Sequence, residues 1–324
     1  MARRDETPVA APEGRTLPVV AVIGAGTMGR QISALIAASG RSVRLWDASA
    51  EMLAMGQERI LEETRILPDL PRYAHHTVRI VPPADLDALL DRITIASSLG
   101  KAIGGADLVI EAVREDLDTK KELFAELSRL APAAILSTNS SSIPSSQIAA
   151  AVVDPGRLLN THFFAPIWSR PMVELMGCGE TRPEVMDAVE RFGKSLGLVT
   201  AVVRGDSKGF IINRVWRAVK RESLRVVDEG HADPDDVDRL WMLFFGTPFG
   251  PFAVMDMVGL DVVSDIETSY QTVATDPEDK PSSILRSKLD EGKLGEKSGR
   301  GFYSHPDPEY LRPGWMNGGG TGEE

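Results

Sequence analysis

Two stretches of the chain hold residues whose types and spacing could do chemistry. In NTHFFAPIWSRPMVE, from Asn160 to Glu174, one of only five histidines, His162, stands directly before two phenylalanines, with an arginine and a glutamate behind it. An imidazole with an unperturbed pKa of about 6.5 can take a proton from a hydroxyl near neutral pH. Pro166 and Pro171 break the chain after the histidine, so MVELMG can return as another extended segment and bring Glu174 alongside. A carboxylate there would orient the imidazole, and the pair reads as a base with its orienter. A buried histidine beside an ordinary strand glutamate is the plainer reading of the same residues.

The second stretch, VIGAGTMGRQ, spaces Gly24, Gly26 and Gly29 as G-x-G-x-x-G, with Thr27 and Met28 inside the turn. Alone the spacing is weak evidence, because glycine is common. Here it follows the apolar run PVVAVIG and opens TMGRQISALIAAS, where Met28, Ile32, Leu35 and Ile36 recur at helical spacing. The next extended run, SVRLWD, ends in Asp47, about 20 residues on. In such a unit the first glycine permits the tight turn, the second lets backbone approach a pyrophosphate, and the third lets helix pack on strand. The helix N-terminus offers amide donors and partial positive charge to the phosphates. Asp47 would accept hydrogen bonds from the ribose hydroxyls and repel a 2′-phosphate, which points to NAD rather than NADP. A nicotinamide that takes hydride needs a neighbour that takes the proton, and His162 ends a predicted strand of the same half.

The elements that must position these residues alternate. RITIAS, ADLVIEAV, AAILSTN and RLLNTHFF read as further strands, with helical segments such as TKKELFAELSRLA between several of them. This alternation predicts a parallel sheet covered on both faces. After LVTAVVRGDSKG the pattern changes. FIINRVWRAVKRESLRVVDEG is a long amphipathic helix, and DPDDVDRLWMLF opens with Asp233 as N-cap and Pro234 at the first helical position. No convincing strand follows. The expected fold is α/β, a Rossmann-like doubly wound sheet joined to an all-helical C-terminal domain. Its divisions are a flexible tail over 1–17, an NAD-binding domain over 18–204, a helical domain over 205–310, and a glycine-rich flexible tail over 311–324.

Composition narrows the setting. At 324 residues the chain can build two cores. One cysteine, Cys178, cannot form an internal disulfide and reads as a reducing, cytoplasmic protein. A formal charge of -11 without a long basic run argues against nucleic acid and anionic membranes as partners. No apolar run approaches the roughly 20 residues of a membrane span, and MARRDETPVAAPEGRTL lacks the apolar region of a signal peptide. His75 and His76 are adjacent, so they do not share a helix face, and without a spaced third ligand no metal site is expected. His231 reads as a loop residue, and Met242, Phe244 and Phe245 as helix core or dimer contact. KLGEKSGRGF is basic and glycine-rich but lacks the Walker spacing.

In combination these motifs resemble the L-3-hydroxyacyl-CoA dehydrogenases. The resemblance runs from about Val19 to Tyr303, through IGAGTMG, ADLVIEAVREDLDTKKELF, STNSSSI, HFFAP with MVE, GFIINR, GPFAVMDMVGLD and LGEKSGRGFY. It implies NAD-linked oxidation of a 3-hydroxyacyl thioester of fatty acid metabolism, or the reverse reduction. It also implies that the helical domain serves the substrate and makes a homodimer. Carried over by position, His162 resembles the catalytic base and Glu174 its partner. Ser141, in NSSSI, and Asn213, in GFIINR, match the residues that hold the reacting oxygens. Glu115, Lys120 and Lys297 match positions that line the cofactor site.

The chain departs from the family pattern where the substrate should lie. Ala165 precedes Pro166 where the pattern has asparagine, and IWSRP brings Trp168 and Arg170 in place of a small apolar run. This looks more like the relatives that oxidise free polar hydroxy acids, the gulonate and carnitine dehydrogenase branch. The helix after Asp47 usually carries lysines toward the CoA phosphates, yet QERILEETRILPDLPRYAHH contains none. Arg170, for an acid group, and Trp168, as a pocket wall, are therefore candidate substrate residues, with a solvated charge and a packed aromatic as the plain alternatives. Besides a hydroxyacyl-CoA dehydrogenase, two other functions stay open. One is a dehydrogenase of a free polar hydroxy acid or of a carrier-protein-bound hydroxyacyl group. The other is a non-catalytic NAD-binding protein, against which the intact set Ser141, His162, Glu174 and Asn213 argues.

Overall fold

A computed structural model describes residues 17–65, 86–271 and 279–318. His75, His76 and the later part of the lysine-free segment lie outside the described residues, as does nearly all of the N-terminal tail. The chain divides into two compact units, 1–211 and 212–324.

The first unit runs β1 (Val20–Ile23), α1 (Thr27–Ala38), β2 (Val43–Trp46), α2 (Ala50–Arg65), α3 (Leu86–Leu90), β3 (Ile93–Ile95), α4 (Leu99–Ile103), β4 (Leu108–Glu111), α5 (Leu117–Leu130), β5 (Ile135–Thr138), β6 (Leu158–Phe163), β7 (Met172–Gly177), α6 (Pro183–Ser195) and β8 (Val199–Val203). The strands form one eight-stranded sheet in the order β3-β2-β1-β4-β5-β6-β7-β8. Side chains alternate across a strand, so β1 feeds two cores. Val20 and Val22 join the cluster that holds Ile32 and Leu35 of α1, while Ala21 and Ile23 join the one that holds Phe124 and Leu127 of α5. Both faces are covered, which is why the strands read as continuous apolar runs.

The parallel order expected from the alternation holds from β3 through β6, and then β7 pairs antiparallel with β6. The connection between them is too short for a crossover helix, so the chain can only double back. β8, which the apolar pattern did not single out, pairs parallel with β7 at the sheet edge and is half exposed.

The second unit contains α7 (Ile212–Asp228), α8 (Pro234–Phe245), α9 (Pro251–Val258), α10 (Leu260–Gln271) and α11 (Ser283–Asp290). Among its described residues, strand pairing is limited to isolated bridges from Arg300 to Gly295 and Ser304. Asp233 does occupy the N-cap of α8, but its side chain makes no capping bond. The helix end is closed instead by its carbonyl, which accepts from the amides of Asp236 and Val237. The buried carboxylate of Asp238 caps the next helix, accepting from the amides of Phe252 and Ala253 at 2.8 Å each and from the Tyr303 hydroxyl at 3.0 Å. Asp256 does the same for the closing segment through the amides of Phe302 and Tyr303, at 2.9 Å each. These bonds account for GPFAVMDMVGLD and GRGFY as interlocking structural motifs.

Two expected boundaries move. Residues 205–211 pack with the first unit, because Phe210 is buried against Met176 and Val203 and the Ile211 amide bonds to Glu174. The fold also continues past residue 310, where a flexible tail was expected. Trp315 is buried beside Tyr303 and Tyr310, and Arg239 stacks on its ring. The apolar area this ring removes from water anchors the segment that was expected to be loose. Met242 packs against this core, while Phe244 and Phe245 stay exposed. No helix among the described residues is long and apolar enough to cross a membrane. No group of three His, Cys, Asp or Glu residues among them could hold a metal ion.

Candidate active site

β1 and β4 are neighbours, and the chain winds outward from them in both directions, so the loops leaving their carboxyl ends open a crevice. Gly24 sits at φ 109°, in the left-handed region, and a Cβ there would strike the carbonyl of Ala112. A Cβ on Gly29 would strike the carbonyl of Gly24, so the third glycine is what lets α1 start against the turn. Gly26 differs: a Cβ built there meets nothing within 4 Å. It faces open space at the N-terminus of α1, whose first turn has neither a capping side chain nor an acidic residue. That cradle fits a pyrophosphate.

At the end of β2, Asp47 accepts from the amides of Ala25 at 2.7 Å and Ser49 at 2.8 Å, one on each carboxylate oxygen. Each oxygen keeps a lone pair for a ribose hydroxyl. The carboxylate borders a cavity of about 500 Å³ together with Gly24, Gly26, Trp46, Glu122 and Glu126. Three carboxylates around one cavity disfavour an added 2′-phosphate.

A second cavity, of about 460 Å³, brings together Gly26, Thr27, Met28, Glu115, Lys120, Ser141 and His162. Its charged wall is anchored in the core. The Lys120 ammonium stands 2.6 Å from Glu111, with both side chains almost fully buried, and Glu111 also accepts from the Thr138 hydroxyl and the Val113 amide, each at 2.7 Å. A buried pair satisfied in this way is rigid, and losing either partner would strand a charge. Lys120 also reaches Glu115 at 3.4 Å. Glu115 accepts from the amides of Ser141 at 3.1 Å and Ser142 at 2.9 Å, from the Ser142 hydroxyl at 2.8 Å, and from the Ser140 hydroxyl. Burial pulls its pKa upward, but those serine bonds and the Lys120 charge outweigh burial and hold it below the usual carboxylate range. The serine loop is fixed from beneath by Asn160, whose side chain accepts from the Ser145 amide at 2.6 Å and donates to the Ile143 carbonyl at 3.0 Å.

His162 on β6 and Glu174 on β7 lie directly opposite each other in the antiparallel register. Nδ1 of the imidazole is 3.0 Å from one carboxylate oxygen, and the other oxygen accepts from the Ile211 amide at 3.0 Å. With Nδ1 donating to the carboxylate, Nε2 is the nitrogen free to accept a proton. The rings of Phe164 and Phe210 pack on the imidazole, with centroids at 4.2 and 4.8 Å. Phe210 adopts φ 55°, unusual for a bulky residue. The strained turn aims the Ile211 amide at Glu174 while its ring braces the base.

The other candidates are distributed differently. Trp168 packs against the sheet core, and Arg170 donates to the carbonyl of Ala165; neither borders the cavity that holds His162. Asn213 and Lys297 belong to the second unit, Asn213 in the first turn of α7 and Lys297 paired with Asp261. Four residues of this site were not singled out from the amino-acid order: Glu111, Thr138, Asn160, and Asn139, which borders the cavity and accepts from the Phe163 amide at 3.0 Å. Their signal was present: each is a polar residue at the end of, or within, an otherwise apolar strand, where only a bonded polar group is tolerated.

A doubly wound sheet with an open glycine cradle at its switch point and a histidine-carboxylate pair beside it defines a nicotinamide-dependent dehydrogenase. The chain belongs to the 3-hydroxyacyl-CoA dehydrogenase family: the family's NAD binding domain matches residues 19–207 and its C-terminal domain matches residues 209–305. It is 34% identical over 293 residues to the probable 3-hydroxybutyryl-CoA dehydrogenase of Bacillus subtilis, covering 89% of this chain and 97% of that one. The solved (S)-3-hydroxybutyryl-CoA dehydrogenase of Ralstonia eutropha is 30% identical and superposes with a TM-score of 0.79 over 90% of this chain and all of that one. A solved diketoreductase described as acting on dicarbonyl compounds is 29% identical, with the same TM-score and coverage.

Proposed function

We propose that this protein oxidises an L-3-hydroxyacyl-CoA of short acyl chain to the 3-oxoacyl-CoA, or runs the reverse reduction. The observation that carries the reading is the His162–Glu174 pair, 3.0 Å apart, with His162 bordering the cavity that also contains the N-terminal turn of α1. Bound NAD would supply the hydride acceptor for the carbon bearing the hydroxyl. His162 takes the hydroxyl proton on Nε2, and Glu174 keeps Nδ1 protonated and balances the charge the ring acquires. Gly24, Gly26, Thr27, Met28 and Gly29 hold the phosphates, and Asp47 holds the adenosine ribose. Glu115 and Lys120 border the nicotinamide side. Family resemblance assigns Ser141 and Asn213 to the reacting oxygens and Lys297 to the cofactor. We also assign a second copy of the chain to α8, where Leu240, Leu243, Phe244 and Phe245 are all more than half exposed. The single cysteine supports a cytoplasmic setting.

NADH formation followed by absorbance with 3-hydroxybutyryl-CoA, longer acyl-CoA thioesters, a carrier-protein thioester and free hydroxy acids in parallel tests the reading. The CoA thioester should turn over fastest. Tight NAD binding with no turnover on any of them would overturn it. A second reading, a free polar hydroxy acid or dicarbonyl compound, draws support from the acidic face of α2, where Glu51, Glu58 and Glu62 are exposed, and from the likeness to the diketoreductase. The free acids in the same panel test it.

A further inference from the structure

The two cavities of the first unit share four residues, Gly26, Ala112, Val113 and Arg114. A dinucleotide reaching from Asp47 in one cavity to His162 in the other must cross this neck, and its pyrophosphate is the part that crosses. Gly26 contributes backbone and open space on one side. Of the four shared residues only Arg114 is charged, and it stands in a loop that the glycine motif does not include.

Its side chain is largely exposed but bonded at its base. Arg114 donates from Nε and Nη2 to the Thr119 hydroxyl at 3.1 and 2.7 Å, while that hydroxyl donates its own proton to Asp116 at 2.6 Å. Asp116 in turn caps α5 by accepting from the Thr119 amide at 2.8 Å. The guanidinium is thus fastened to the first turn of α5 through a neutral oxygen. Asp116 itself is 4.0 Å away and half exposed, so water screens that attraction. A guanidinium has five donors, and two are engaged on Thr119, which leaves three for phosphate oxygens.

We propose that Arg114 is a pyrophosphate-binding residue, clamping the cofactor from the side opposite the N-terminus of α1. The inference rests on the NAD reading above. It explains how a site bordered by Asp47, Glu122 and Glu126, in a chain of net charge -11, attracts a ligand that is itself anionic.

Calorimetric binding of NAD, ADP and adenosine to the wild type, Arg114→Met and Arg114→Lys tests it. Arg114→Met should weaken NAD and ADP about tenfold, near the low end for a charged hydrogen bond because the site is open to solvent. Adenosine, which lacks phosphate, should bind within twofold of wild type, and this arm also reports that the variant is folded. Arg114→Lys should recover part of the ADP affinity. Raising the salt should weaken ADP binding to the wild type more than to Arg114→Met. Unchanged ADP affinity in Arg114→Met, or an equal loss for ADP and adenosine, would overturn the assignment. A wild type that binds neither NAD nor ADP would instead overturn the cofactor reading and this inference with it.

Discussion

Replacing Glu174 by glutamine keeps the size of the side chain and removes its charge. The remaining oxygen can still accept from the Ile211 amide, as one carboxylate oxygen does now at 3.0 Å. The new amide nitrogen then faces Nδ1 of His162 and donates to it, so the ring proton moves to Nε2 and the accepting nitrogen is lost. Charge adds to this. For an imidazolium and a carboxylate 3.0 Å apart, an effective dielectric near 20 gives about 5 kcal/mol of attraction. Roughly half of that is offset by the desolvation of two nearly buried groups, which leaves about 2 to 3 kcal/mol. At 1.36 kcal/mol per decade, kcat should fall by about 30- to 150-fold. The assay is NADH formation at saturating substrate, with NAD affinity measured separately; that affinity should stay within twofold. His162→Gln removes the acceptor itself and should cost at least about 10²-fold. Because both changes act on one step, the double variant should lose less than the product of the single losses. A Glu174→Gln enzyme that keeps more than half the wild-type kcat, with NAD binding intact, refutes the orienting role.

Asp47→Ser combined with Ala48→Arg should narrow the preference for NAD over NADP, read as the ratio of kcat/KM values. Equal wild-type activity with both cofactors would contradict the role given to Asp47. In the helical unit, burial pushes the Asp238 carboxyl up to about 6 against the opposing bonds from Phe252, Ala253 and Tyr303. The folded protein therefore binds this proton more tightly than the unfolded chain, and the group's contribution to stability rises as pH falls through 6 toward 4. Relative to Asp238→Asn, the wild type should gain roughly 2 kcal/mol between pH 7.5 and 4.5 in chemical denaturation, and parallel curves would exclude the effect. Phe244 is 84% exposed on α8. Light scattering should give a dimer at micromolar concentration and a monomer for Phe244→Glu, and a monomeric wild type would remove α8 as the interface.

What the amino-acid order determined by itself is what consecutive residues control. The turn from Gly24 to Gly29 depends on backbone freedom and on the absence of a Cβ at known offsets, so it is legible without coordinates. The same is true of Asp47 at the end of its strand, of the apolar runs buried on both faces, and of the change from alternating strands to helices. Tertiary structure decided everything that depends on register and burial across the sheet. The return of MVELMG toward His162 was legible from Pro166 and Pro171, but the antiparallel register that sets Glu174 directly opposite, twelve positions later, was not. The amide that holds Glu174 comes from Ile211, beyond the boundary that pattern alone suggested, because burial of Phe210 draws that segment onto the first unit. Lys120 matches a cofactor-site position by resemblance, but its buried partner Glu111 is visible only in the fold. Trp168, expected as a pocket wall, packs against the sheet core for the same reason. Amino-acid type tells what a side chain can bond, but which cavity it reaches is fixed by the direction of its strand and by what the core has room to cover.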